Sequence, residues 1–154
     1  MAKTNIEIVQ ELLNGATKAE IVNALVAADA VYVSLNYDNP DLKKVMPWAG
    51  THRDGRAGIL KTFRDVNRYW TVVEFDIREM FGVEENVAVF GSFTVKSVKL
   101  GKQATSPFSI LAKVKGGKVT YMQYMEDTIA TGSTFRSSGT WKFQSNPEGG
   151  EVEF

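Results

Sequence analysis

At Thr71 the spacing of apolar residues along this chain changes from three and four to two, and it stays near two as far as Asp127. Val73, Phe75, Ile77 and Phe81 alternate with Glu74, Asp76 and Arg78, the pattern of a half-buried antiparallel strand. "GVEEN" then turns into a second long strand, Val87 to Val98, and "LGKQ" into a third, Ala104 to Val114. "KGGK" leads to a fourth, Val119 to Asp127. Short hairpin connections between long strands make a meander. Strands of this length twist and coil, so the sheet curls around whatever covers its apolar face. Gly91, in mid-strand, marks a bend or bulge.

The N-terminal half supplies the cover. Thr4 with Glu7 is a capping box, followed by Ile6, Val9, Leu12 and Leu13 at helical spacing and ended by Gly15. Thr17 with Glu20 repeats the device ahead of Ile21, Val22, Leu25 and Val26, so two short helices meet at a tight joint. "AVYVSLN" (Ala30 to Asn36) reads as a strand. The loop "YDNPDLKKVMPWAGTHRDGR" is long for a compact domain, and long loops more often carry function than not. A third helix, from about Ala57 to Tyr69, presents Ile59, Leu60, Phe63 and Val66 on one face. The fold class is α+β, helices on a curved antiparallel sheet that encloses an apolar pocket. Residues 1–134 form the domain, with one helical turn after Asp127. Residues 135–154 are an extended tail pinned by Trp141 and Phe143.

Composition narrows the function. The chain has 154 residues, about one domain. Eighteen Lys and Arg balance eighteen Asp and Glu, so no positive field gathers phosphates and no nucleic-acid partner is expected. With no cysteine there are no disulfides, thiol nucleophiles or thiolate metal sites, and a single histidine rules out metal sites built on several imidazoles. No metal and no organic cofactor is implied. The first residues lack the unbroken apolar core of a signal peptide, and no stretch approaches the roughly 20 apolar residues of a membrane span. A cytoplasmic protein with no membrane partner is the expectation.

Two segments carry a family likeness. "MPWAGTHRDGRAGILKTF" (Met46 to Phe63) holds Trp-x-Gly, then Gly-Arg, then a helix, and "GKVTYMQYMEDT" (Gly117 to Thr128) holds a Gly-Lys turn, a strand and an acidic residue before a last helix. With the order helix–helix–strand–loop–helix–four strands, the chain resembles the SnoaL-like branch of the nuclear-transport-factor-2-like, or ketosteroid-isomerase-like, superfamily over roughly residues 4 to 133. That resemblance implies a sheet wrapped as a cone around the N-terminal helices, its open end a pocket. Members resembling SnoaL cyclise polyketides. Relatives isomerise steroids, open epoxides or dehydrate small acids, and others only bind. Fold alone does not choose among these.

The resemblance puts Asp127 where SnoaL-like cyclases keep an acid/base aspartate. Read from its own neighbours, Asp127 is equally an N-cap for the turn that follows. Glu126 points to the opposite face and takes over the role, with Tyr124, if the register is shifted by one. His52, the lone imidazole, is a second candidate acid or base, or an ordinary loop residue. The cyclases' assisting histidine corresponds to about Lys113, which cannot act in the same way. Trp48, Phe63, Trp70, Phe90, Phe108, Tyr124 and Glu126 are the expected substrate contacts, although core packing accounts for most aromatics. Trp48, in a loop after a proline, is expected to roof the cavity. The readings that follow are acid–base chemistry on an apolar, carbonyl-containing small molecule, ligand binding without turnover, or a dimeric interaction module. A homodimer is expected because Ala88, Phe90, Ser92 and Thr94, or the opposite set, leave an apolar sheet face outward.

Overall fold

The expected capping box opens α1 (Asn5–Gly15) in the computed structural model, which describes residues 2–145 and 147–153. The Thr4 hydroxyl accepts from the Glu7 amide at 3.2 Å, and the Glu7 carboxylate accepts from the Thr4 amide at 2.7 Å. The second box does not form. α2 (Ala19–Leu25) starts from Lys18 without a side-chain cap, which leaves Thr17 and Glu20 one position out of step with the helix start. Gly15 is the last residue of α1, as expected, with Ala16 as its C-cap. A Cβ there would stand 2.9 Å from the Ile21 side chain, so its absence is what lets the two helices meet.

β1 (Val26–Ser34) begins four residues ahead of the expected strand and is interrupted by a bulge between Val26 and Val31. The long loop is structured. Asn39 caps α3 (Pro40–Val45) by accepting from the Asp41 and Leu42 amides, and β2 (Gly50–His52) pairs antiparallel with β1, His52 opposite Tyr32. α4 (Arg56–Tyr69) follows. The Gly-Arg pair has a physical reason here. Gly55 sits at φ +62°, where a Cβ would be 1.8 Å from the Ala28 carbonyl oxygen. Arg56 Nε donates at 2.8 Å to the Val26 carbonyl, in the irregular stretch of β1. Together they fasten the start of α4 to the bulge.

The meander comprises β3 (Trp70–Val83), β4 (Asn86–Ser97), β5 (Gln103–Lys115) and β6 (Lys118–Glu126). Six strands lie in the order β2-β1-β6-β5-β4-β3, antiparallel except where β1 runs parallel to β6. β4 and β5 alternate as the sequence leads one to expect, with Val87, Val89, Phe93 and Val95, then Phe108, Ile110, Ala112 and Val114, turned to the core. β3 departs from that pattern. Bulges between Val72 and Glu74 and between Ile77 and Glu79 reset its alternation twice, and Val73, Phe75 and Phe81 are 54%, 43% and 54% exposed. It is an edge strand, paired on one side only, and bulges at an edge bend and twist it.

α5 (Thr128–Ser133) closes the end of the sheet, and Phe135 stacks on Trp70 with ring centres 5.2 Å apart. Beyond it, β7 (Lys142–Phe143) and β8 (Val152–Glu153) form a small hairpin in place of a single extended tail. Arg136 lies over the Trp141 ring at 5.4 Å, whereas Phe143 is half exposed. Among the described residues no helix is long and apolar enough to cross a membrane.

Gly91 pairs with Ile77, directly beside the second bulge of β3. A Cβ on it would lie 2.0 Å from the Asp76 carbonyl oxygen and 2.8 Å from the Phe108 ring. Gly91→Ala is therefore expected to lower unfolding free energy by about 1–3 kcal/mol in urea titrations, the usual cost of overpacking. A change under about 0.5 kcal/mol, the scale of an ordinary surface substitution, would contradict this account of the bend.

Candidate functional site

The helices cover the concave face of the sheet incompletely and leave a cavity of about 420 Å³. Its mouth lies between the α1–α2 joint, with Asn14 and Thr17, and the last turns of α4, with Asn67, all exposed. Its inner walls are buried: Tyr32 and Ser34 on β1, Trp48 in the loop, Thr62 on α4, Trp70 at the start of β3 and Phe93 on β4.

Of the residues expected from sequence, Trp48, Phe63, Trp70, Tyr124 and Glu126 all line this cavity. Phe108 lies one layer behind, its ring stacked on Tyr124 at 5.5 Å and on Phe75 at 4.7 Å, both of which line it. Phe90 does not belong. Period two along β4 turns Val89 and Phe93 inward and sends Phe90 to the outer face, where it is 45% exposed and stacks with Phe81 at 6.1 Å. Trp48 is no roof. It is 3% exposed, set among Tyr69, Trp70 and Phe135 with ring centres 5.9, 5.1 and 6.1 Å away.

Asp127 and His52 also stand outside the cavity wall. Asp127 is exposed, and its Oδ1 accepts from the amides of Ile129 at 3.1 Å and Ala130 at 3.0 Å. It is the N-cap of α5, the alternative the sequence left open. His52 donates from Nε2 to the Trp48 carbonyl at 2.8 Å and stacks against the far side of the wall, on the Tyr32 ring at 6.0 Å. Lys113 leaves the sheet away from the core-facing Ala112 and Val114, its amine 5.7 Å from the Tyr121 ring centre.

The carboxyl that enters the cavity is Glu126. Met122, Tyr124 and Glu126 share one side of β6 because they are two residues apart. Burial pushes the Glu126 carboxyl up to about 7. The Thr131 hydroxyl, donating to Oε1 at 3.0 Å, pulls it back, and the negative charge of Asp127 adds a further upward push. Burial likewise raises the phenols of Tyr124 and Tyr32, and the charge of Glu126 raises both further. Both phenols keep their protons at neutral pH and can donate hydrogen bonds. The result is one carboxyl that changes protonation near neutrality beside two donors that do not.

Tyr32 and Ser34 were not foreseen as site residues. Their arrival depends on the parallel pairing of β1 with β6, which sets Ser34 opposite Tyr124. Leu35, also in the cavity wall, ends that pairing in a γ-turn: its φ is +68°, its amide donates to the Tyr124 carbonyl at 2.8 Å, and the Asn36 amide donates to the Ser34 carbonyl at 2.8 Å. A left-handed leucine is a strained conformation, of the kind that persists where surrounding structure fixes it. Among the described residues no three His, Asp or Glu side chains converge as a metal site would require.

Comparison with known proteins places this geometry. Residues 9–122 match the SnoaL-like domain. The chain is 43% identical to patulin synthesis protein F of Aspergillus clavatus over 133 residues, which cover 84% of this chain and 67% of that protein. An NTF2-like protein from Burkholderia xenovorans has the same fold, with a TM-score of 0.72 at 20% identity over 86% of this chain and 95% of that one. TerC, co-crystallised with polyporic acid, gives a TM-score of 0.68 at 26% identity over 86% of this chain and 98% of its own.

The raised carboxyl has a stability signature. Between the ordinary value of 4.5 and about 7, the folded chain holds a proton on Glu126 that the unfolded chain has lost. Stability contributed by that proton is complete below 4.5 and is lost as pH rises through 7. Glu126→Gln removes this loss, so the variant should gain on the wild type as pH rises, by on the order of 3 kcal/mol at about pH 8. Paired denaturant titrations from about pH 4 to 8 measure it, and a stability gap that does not change with pH would contradict the assignment.

Proposed function

This chain belongs to the SnoaL-like domain family, and on that premise we propose that its cavity performs acid–base chemistry on a small, carbonyl-containing molecule, with Glu126 as the group that takes and returns the proton. The observation that carries the reading is a cavity-facing carboxyl held near neutrality beside two phenols that stay protonated. Ionised Glu126 removes a proton from the carbon next to the carbonyl: the C–H bond breaks, an O–H bond forms on Glu126, and the electron pair moves onto the carbonyl oxygen. The Tyr32 and Tyr124 hydroxyls are the available donors to that developing oxyanion. Return of the proton at another carbon completes an isomerisation. Alternatively, the enolate carbon attacks a second carbonyl of the same molecule, a C–C bond forms as the C=O pair moves onto oxygen, and Glu126 returns its proton to that alkoxide to complete a ring closure.

The aromatic walls suit an apolar substrate body, with Phe63 and Trp70 on opposite sides of the α4–β3 junction. The Aspergillus clavatus relative, named for patulin synthesis, supports a natural-product intermediate as the substrate class. Binding without turnover is the alternative. It is favoured by the outward course of Lys113, about where the resemblance implies an assisting histidine, which leaves Glu126 as the one charged side chain among the cavity-lining residues.

Deuterium exchange separates the two readings. Apolar ketones incubated with the protein in heavy water should exchange their α-hydrogens faster than in buffer, followed by proton NMR. Glu126→Gln should lose about 10²–10⁴-fold of that acceleration, the usual contribution of a general base, while still binding the ketone. Ketones that bind to the wild type without exchange would establish the binding reading instead.

The outer face of the sheet supports the expected homodimer as a proposal. Phe90, Leu111 and Met125 are 45%, 37% and 37% exposed there, on three adjacent strands. Contiguous apolar faces of this kind tend to be paired. Light scattering at micromolar concentration should give about twice the chain mass of 17.1 kDa, and a particle of 17.1 kDa would end the idea.

A further inference from the structure

Glu126 does not meet the cavity as a free side chain. Thr131, fully buried on α5, sets its Oγ1 3.0 Å from Glu126 Oε1 and 3.0 Å from the carbonyl oxygen of Asp127. A threonine hydroxyl has one proton and donates to one acceptor at a time, and an ionised carboxylate is the stronger acceptor.

Resting on the acid–base reading of the cavity, we propose that Thr131 is the positioning residue for Glu126: its hydroxyl anchors Oε1 and leaves Oε2 as the oxygen that meets the substrate. When Glu126 is ionised, Thr131 donates to Oε1. When Glu126 has taken a proton on Oε2, Oε1 becomes the weaker acceptor, and the hydroxyl proton is shared with the Asp127 carbonyl. Thr131 keeps one proton throughout, so it guides the carboxyl without consuming or supplying anything.

The same arrangement gives Asp127 a use after all. Its side chain caps the first amides of α5, and its carbonyl accepts from the Thr131 amide at 3.0 Å. The exposed aspartate thus holds the short helix that carries the buried threonine, and the threonine holds the glutamate. The chain Asp127–Thr131–Glu126 is local in sequence, which makes it stiff. The titratable group that acts on the carboxyl is Asp127 at the head of α5, and the carboxylate in turn raises the phenols of Tyr32 on β1 and Tyr124 on β6.

The test is a carbon-13 titration of the glutamate carboxyls, without substrate, on the wild type, Thr131→Val and Thr131→Ser, with folding checked by circular dichroism. The Glu126 resonance is identified by its loss in Glu126→Gln. It should titrate at about 7 in the wild type, move upward in Thr131→Val and return to the wild-type value in Thr131→Ser. In the ketone-exchange assay Thr131→Val should lose about 10-fold in kcat with KM unchanged, as loss of a hydrogen bond to a charged group implies, and Thr131→Ser should restore it. If valine disturbs folding, Thr131→Ala provides the same comparison. A wild-type midpoint of about 7 that does not move in Thr131→Val would overturn the positioning role alone. A wild-type midpoint near 4.5 would instead remove the acid–base reading, and this inference with it.

Discussion

Adjacent residues of an extended strand face opposite sides, and at the end of β6 this decides what the cavity contains. Met122, Tyr124 and Glu126 share the inner side, so the carboxyl of Glu126 enters and that of Asp127 leaves. β6 is fixed on both flanks. β5 pairs with it antiparallel from Phe108–Glu126 to Lys115–Lys118, and β1 runs parallel to it from Val26–Val119, across the bulge, to Ser34–Tyr124. A slip of one residue against either neighbour would exchange the two carboxyls and expel Tyr124 with them. The bulge in β1 lies within that parallel pairing and the γ-turn at Leu35 ends it, and the Gly55–Arg56 anchor ties α4 to the bulge.

The chemistry follows from burial. Taking a carboxylate out of water costs free energy, and among the described residues Glu126 meets that cost with a single hydroxyl donor and no cation. A structural carboxylate would be better served by a paired arginine or by backbone amides, as Asp127 is. Leaving Glu126 uncomfortable is what keeps its proton exchangeable near neutrality. Stacked aromatics pack the walls around it. Tyr124 and Phe75 are both backed by Phe108, and Trp70 by Phe135 and the Thr134 hydroxyl that its indole reaches at 2.8 Å.

Much of this was legible in the sequence, because periodicity reports burial directly. Segments buried on one face, such as β4, β5 and α4, show their period clearly. β3 misleads because its bulges reset the alternation, and an edge strand can leave Val73 and Phe81 in water. Phe90 misleads because an aromatic on an outer face looks like one in a core. Tyr32 and Ser34 were invisible as site residues, since nothing local in "AVYVSLN" says that it lies beside a strand some ninety residues later. The choice between Glu126 and Asp127 was open to a more careful count from Met122. Asp127 drew attention because it stands where the family keeps an aspartate, and here that position serves the helix instead of the pocket.

We infer that function resides in the cavity around Glu126. A crystal structure of the protein with polyporic acid, the molecule co-crystallised with TerC, tests it most directly. The ligand is expected between Phe63 and Trp70, with one of its oxygens within hydrogen-bonding distance of Glu126 and of the Tyr32 or Tyr124 hydroxyl. A ligand seated against Asp127 and His52, or on the outer sheet face at Phe90, with the cavity around Glu126 left empty, would contradict it.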